Sequence, residues 1–256
     1  MRRSRQATES HWVSLSDVMT GLMVIFLFVA VAYMKRVRET LTLTEEVLSE
    51  TVAVRDDLLR ELHDEFRDDF ERWDVTLDDD LSIRFRNPDV LFASAEWEVQ
   101  PKFRRILDDF LPRYFDILRR GSFRDRILEV RVEGHTDPYP IRRLHADNYQ
   151  GNLMLSQRRA AAVVEHFRAS DYFAALSKAE EAHWNFRLTA NGLSYGRMLD
   201  AGGRLAAKSG HAPDTDASRR VEFRIVTRDL EAIHAALDEL RERGRTTGSI
   251  VSEAGL

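Results

Sequence analysis

The chain has no cysteine, six prolines and twelve glycines in 256 residues, and a net charge of only -5. Without cysteine, neither a disulfide framework nor a thiolate metal site can form. The absence suits an oxidising compartment without requiring one. Charged residues make up 32% of the chain and nearly balance in sign, which argues against a nucleic-acid-binding protein, usually marked by a basic face. Internal repeats are absent too. Two further absences are local. No residue from Val18 to Met34 is charged, and residues 35–75 contain neither proline nor glycine.

The uncharged run is the strongest feature present. A helix rises about 1.5 Å per residue, so Trp12 to Met34 spans roughly 35 Å, and a bilayer core needs roughly 20 mostly apolar residues. Residues 12–34 are therefore expected to cross a membrane, with Ser14, Ser16 and Asp17 at or just inside one interface. A cleavable signal peptide would have a shorter apolar core followed by small residues. Tyr33-Met34-Lys35-Arg36 follows instead, which predicts an uncleaved anchor. Arg2, Arg3 and Arg5 before the span nearly balance Lys35, Arg36 and Arg38 after it, so positive charge alone leaves orientation open.

Within the span, Ser14, Asp17, Thr20, Gly21 and Val24 share one helical face by their spacing. Small and polar residues let another helix approach closely. An ionised carboxylate costs roughly 2.5–3.5 kcal/mol at the centre of a membrane helix and less near its edge. An acid at such a position is expected to do chemistry: to load and release a proton, or to hold a cation among hydroxyls. Pairing with a basic residue on a neighbour is the structural alternative. One span cannot complete a pore, so a multi-span partner is implied.

Residues 35–77 read as a helical, coiled-coil-like linker. One seam runs Leu41, Leu48, Arg55, Leu62, Asp69, and the other Glu45, Val52, Leu59, Phe66, Trp73. The pattern fits a parallel dimer; it also fits a single amphipathic helix folding onto its own domain. Beyond Asp78-Asp79-Asp80 the patterning changes. Strands are expected at 81–86, 127–137, 186–192 and 221–226, and helices at 103–118, 153–167, 171–184 and 230–243. The order β-α-β-α-β-β predicts a two-layer α/β sandwich, with helices on one face of a mixed sheet.

Three pieces of this domain carry a resemblance: EGHTD (133–137); then Asn152, Leu155, Ser156, Arg159 and Ala160; then Arg219-Arg220-Val221-Glu222. In that order, over roughly residues 80–228, they resemble the OmpA-like peptidoglycan-binding domain. Joined to a span carrying S-D-x-M-T-G-L-M, the arrangement is similar to MotB-type stator subunits of ion-driven rotary motors, and the run DVMTGLMVIFLFVAVAYM most resembles the B subunits of the Zorya anti-phage defence system. The expected organisation is thus a cytoplasmic arm (1–11), a transmembrane helix (12–34), a helical linker (35–77), an OmpA-like domain (78–228), and a C-terminal helix and tail (229–256).

The resemblance implies that Asp17, supported by Ser14 and Thr20, carries the ion. It implies two B chains inside a ring of five MotA- or ZorA-like chains, in the bacterial inner membrane, with the amino terminus cytoplasmic and the domain periplasmic. No cofactor is implied; the transported ion is H⁺ or Na⁺. Asp137 and Arg159 match the pair that grips diaminopimelate, a carboxylate for its ammonium and a guanidinium for its carboxylate. Asn152 would bond the peptide backbone and Leu155 would wall the pocket. The chain departs from the family pattern in the longer segment PYPIRRLHADNYQG (138–151), which carries Tyr139, Arg142, Arg143, His145 and Tyr149. It departs also in the missing proline of NGLSYGRML (191–199) and in Ser218 where asparagine is frequent. Arg219 and Arg220 read as structural residues at a strand start. His135 and Asp137 suggest a metal pair, but no other histidine has ligand spacing and no activated nucleophile is evident, so an enzyme is not expected. The rival functions are a flagellar-type stator subunit and a passive membrane-anchored peptidoglycan tether without ion flux.

Overall fold

The computed structural model describes residues 3–86 and 88–227, with side chains described for 19–36, 38, 53–86 and 90–227. The chain divides into two compact units, Met1–Glu50 and Thr51–Leu256. The closing helix expected at 230–243 lies outside the described residues.

The first unit is helical throughout its described residues, as part of α1 (Arg3–Phe66). Met19–Arg36 is apolar and long enough to cross a membrane. Its large apolar side chains are exposed, Met23 by 75% and Phe28 by 71%. Soluble proteins rarely expose an apolar patch this continuous, whereas lipid covers it at no cost.

The second unit is built on a five-stranded sheet. After α1 come α2 (Phe70–Trp73), β1 (Val75–Leu77), β2 (Ser82–Phe85), α3 (Pro88–Leu91), α4 (Pro101–Leu118), α5 (Gly121–Arg124) and β3 (Ile127–Gly134). Then follow α6 (Asn148–Arg168), α7 (Asp171–Ala174), α8 (Lys178–Arg187) and β4 (Leu188–Gly192). A small excursion, β5 (Leu199–Asp200), α9 (Ala206–Ser209), β6 (Pro213–Asp214) and α10 (Thr215–Ser218), precedes β7 (Val221–Thr227). The sheet order is β1-β2-β7-β3-β4, and the β3–β4 pair alone is parallel. The sheet is mixed, as expected.

Alternation divides the sheet faces. Ile83, Phe85, Val130, Val132, Val221, Phe223 and Ile225 point into the core. There they meet Phe103, Phe110 and Tyr114 of α4 and Ala160, Val163 and Phe167 of α6. Phe115 stacks on Phe167 at 4.2 Å and meets Trp184 of α8 edge-on at 4.8 Å.

The linker boundary moves. Leu58, Leu62 and Phe66, at i, i+4 and i+8 on the last turns of α1, are buried in this core, as is Trp73. Leu62, Phe66 and Trp73 are seam positions of the expected coiled coil; here the partner they face is the chain's own domain. Leu41, Glu45 and Leu48 have side chains outside the described residues. A clamp closes the end of α1: Arg113 of α4 donates to Glu65 Oε1 at 2.6 Å, Glu65 O at 2.6 Å and Asp69 Oδ2 at 2.8 Å, and lies over Phe66 at 4.7 Å. The helical pattern also ends before Asp78. Residues 75–77 form β1, and the aspartates turn the β1–β2 hairpin, with Leu81 at φ 63° closing it and its N–H donating to Asp78 O.

The other sheet face is charged and half covered. Glu133 lies directly opposite Glu222, and Arg131 opposite Arg224. Like charges directly opposite are unfavourable, so the pairs resolve through neighbours: Arg224 binds Glu222 at 2.5 Å and Asp80 at 2.7 Å, and Arg220 binds Glu222 at 3.1 Å. Burial opposes ionisation of Glu222, but Arg220, His135, Arg224 and Arg84 outweigh it and hold the carboxyl down at about 2.

Candidate ligand-binding site

At its C-terminal end β3 runs on into His135-Thr136-Asp137. His135 N donates to Arg220 O at 3.0 Å and Thr136 N to Ser194 O at 3.1 Å, which fixes the corner between the start of β7 and the loop after β4. Two glycines bring α6 over this corner. A Cβ on Gly134 would stand 2.2 Å from Ser156 O, and one on Gly192 2.5 Å from Gln157 N. Only a bare backbone fits there.

Asp147 caps α6 by accepting from Gln150 N at 2.8 Å. From that start Asn152, Leu155 and Arg159 fall on one face, i, i+3 and i+7. With Asp137 they line one cavity of about 270 Å³, together with Phe92, Thr136, Tyr139, Ile141 and Arg219. The residues expected from the sequence are thus brought together.

Each is held differently. Asp137 Oδ1 accepts from Tyr139 N at 2.9 Å, and its Oδ2 lies 3.6 Å from Arg219 Nε. Asn152 Nδ2 donates to Tyr139 O at 2.9 Å and to Asn148 Oδ1 at 2.9 Å. Arg159 donates from Nε to Glu96 O at 2.8 Å and from Nη2 to Ala93 O at 3.3 Å, and lies over the Phe92 ring at 4.9 Å. Burial is the main influence on Arg159 and pulls it to about 10; Asp137 and Glu96 oppose that, and Arg219 adds to it. It remains a cation at neutral pH, and among the described residues no carboxylate pairs with it. Asn152 Oδ1, Thr136 Oγ1 and Arg219 Nε are buried without hydrogen-bond partners among the described residues. Each such group costs about 1–3 kcal/mol. With two guanidiniums and one carboxylate, the cavity suits a group that carries both an ammonium and a carboxylate.

Arg219 is the residue that sequence reasoning missed. Alternation carried back from Val221 puts Arg219 on the α6 side, whereas Arg220 joins Glu222 on the charged face, where it is structural as expected. The segment 138–151 forms part of the wall: Ile141 is buried, and Arg143 binds Ala95 O and Glu96 and lies over Trp97 at 5.0 Å.

His135 and Asp137 do not act together. Asp137 lines the cavity; His135 is buried on the charged side, 3.7 Å from Glu133 and 3.6 Å from Glu222. Donor atoms of these last three lie within 4.8 Å of one another. Yet Arg84, Arg220 and Arg224 already surround Glu222, and Arg197 and Arg224 approach Glu133 at 3.6 Å. Guanidiniums already occupy both carboxylates, so the set does not fit a metal ion.

Burial is the largest influence on His135 and pushes it down to about 4. Between pH 6.5 and 4 the unfolded chain therefore binds a proton that the folded chain refuses, so stability is lost as the pH is lowered through that window. Glu222, depressed to about 2 from 4.5, extends the loss from 4.5 downward. The expected cost between pH 7 and 4 is on the order of 3 kcal/mol. Urea unfolding at stepped pH measures it. A limb equally steep in His135→Gln would assign the loss elsewhere.

Asp17 and Ser14 lie on α1, but their side chains are outside the described residues; Thr20 is exposed.

No protein-family model matches the chain. The Zorya protein ZorB of Escherichia coli strain Crooks is 36% identical over 221 residues, 85% of this chain and 88% of that protein. Among solved structures, the cell wall anchor of the type VI secretion system from Pseudomonas aeruginosa is 28% identical, over 65% of this chain and 96% of that one, with a TM-score of 0.41. The periplasmic domain of Helicobacter pylori MotB is 16% identical over 62% and 84%, with a TM-score of 0.39.

Proposed function

This chain belongs to the ZorB family of Zorya proteins, and from that premise we propose that it is the wall-anchored B subunit of an ion-driven membrane motor used in anti-phage defence. Its helix crosses the inner membrane once, with the amino terminus in the cytoplasm and the α/β domain in the periplasm. Two copies stand inside a ring of five ZorA-like multi-span subunits. Asp17 exchanges H⁺ or Na⁺ with that ring, and the ring steps around a dimer that the wall keeps from turning. The work is binding and ion transfer, not catalysis. Family membership favours defence over flagellar motility.

The observation that carries the wall-binding half is the cavity. Asp137, Asn152, Leu155 and Arg159 come from two separate elements yet line one space with Arg219. A diaminopimelate side chain ends in an ammonium and a carboxylate. Asp137 takes the first. Arg159 and Arg219 take the second through charge-assisted bonds, and Asn152 Oδ1 accepts a peptide N–H.

The full-length protein, solubilised with its ZorA-like partner, is expected to co-purify with it and to sediment with isolated sacculi. A complex that stays entirely in the supernatant when sacculi are pelleted overturns the anchoring; a chain that emerges from membranes without a multi-span partner overturns the motor.

A further inference from the structure

A cavity of about 270 Å³ is smaller than those that enclose drug-sized ligands, roughly 300–1,000 Å³. It accommodates one amino-acid-sized group. Whatever that group is attached to must lie outside, across the lip.

Tyr139 forms that lip. It lines the cavity, yet it is 73% exposed. Its main chain is fixed by the cavity's own side chains: its N–H donates to Asp137 Oδ1 and its carbonyl accepts from Asn152 Nδ2, both at 2.9 Å. Pro138 and Pro140 bracket it and restrict φ at each flank. Pro138 O accepts from Asn148 Nδ2 at 2.8 Å. The ring is therefore presented from a rigid backbone, which lowers the ordering cost of any contact it makes.

Other rings in the flanking segments are already covered. Trp97 carries Arg158 at 4.4 Å and Arg143 at 5.0 Å, Phe92 carries Arg159, and Tyr149 meets Tyr195 edge-on at 5.5 Å. Among the described residues, no ring or guanidinium stacks on Tyr139. A tyrosine offers flat apolar faces and a polar tip. A pyranose ring has the matching form, with apolar C–H faces and a rim of hydroxyls.

We propose that Tyr139 is a sugar-stacking platform that extends the site from the peptide to the glycan bearing it. This rests on the wall-binding reading above. Titration calorimetry on the full-length protein in detergent, with two probes, tests it: a disaccharide carrying a diaminopimelate-containing tetrapeptide, and the same tetrapeptide without sugar. Tyr139→Ala is expected to weaken the sugar-bearing probe about three- to tenfold more than it weakens the bare peptide, the range an aromatic contact supplies. Tyr139→Trp is expected to retain wild-type affinity for both. Equal losses for both probes would assign the ring to the peptide and overturn the platform, as would no loss for either. Wild-type protein that binds neither probe overturns the wall-binding reading itself, a result distinct from an unaffected Tyr139→Ala.

Discussion

Asp17→Asn is expected to reduce phage protection to the level of cells lacking the system, with protein level, membrane insertion and co-purification of the ZorA-like partner unchanged. The substitution keeps shape and hydrogen-bonding capacity and removes the ability to ionise. Moving one elementary charge through 100 mV releases about 2.3 kcal/mol; an amide collects none of it. Inserting the variant is no harder, because a charged carboxylate at the centre of a membrane helix costs roughly 2.5–3.5 kcal/mol on insertion scales. The two effects separate role from assembly: an acid kept only for packing would lose little on becoming asparagine. Plating efficiency beside a membrane co-purification checks the result, and full protection by Asp17→Asn would refute ion carriage.

The second large effect is at the wall site. Asp137→Asn is expected to weaken sacculus binding about tenfold or more, and Arg159→Ala by a similar or larger factor. Hydrogen bonds to charged groups contribute about 1.5–3 kcal/mol, and each 1.4 kcal/mol is about tenfold in affinity. The two variants differ in how cleanly they report. Asparagine retains an oxygen for Tyr139 N, so the turn at 137–139 survives and only the charge is lost. Arg159→Ala also strands Glu96 O and Ala93 O, the acceptors that hold the 93–96 loop. A thermal melt beside the binding assay tells the two apart. Unchanged sedimentation of a folded Asp137→Asn protein would remove that carboxylate from the ligand site.

Alternating patterns made β2, β3 and β7 legible in the sequence, because each has one apolar and one charged face. Asn152, Leu155 and Arg159 were legible because a helix puts such spacings on a single side. Where reading fell short, the pattern was degenerate. Leu62, Phe66 and Trp73 would look the same whether they faced a second helix or a sheet, since burial sets the period and not the identity of the partner. Val75–Leu77 was hidden because three residues are too few for a period to register. Arg219 needed the excursion from Leu193 to Ser218 to fold before its reach into the cavity became apparent. The wall made by 138–151 rests on side-chain donors that meet main-chain acceptors, such as Asn152 Nδ2 to Tyr139 O, and a main-chain acceptor leaves no mark in the sequence.

The burial of the last turns of α1 has a practical side. Were the α/β domain excised at Asp78, it would leave behind Leu58, Leu62, Phe66, Trp73 and Val75, all of them interior. Arg113 would lose Glu65 and Asp69 together. The fragment would thus carry a raw greasy trench along α4 and clump in solution. The natural place to cut lies upstream, near Thr51, where the second compact unit begins.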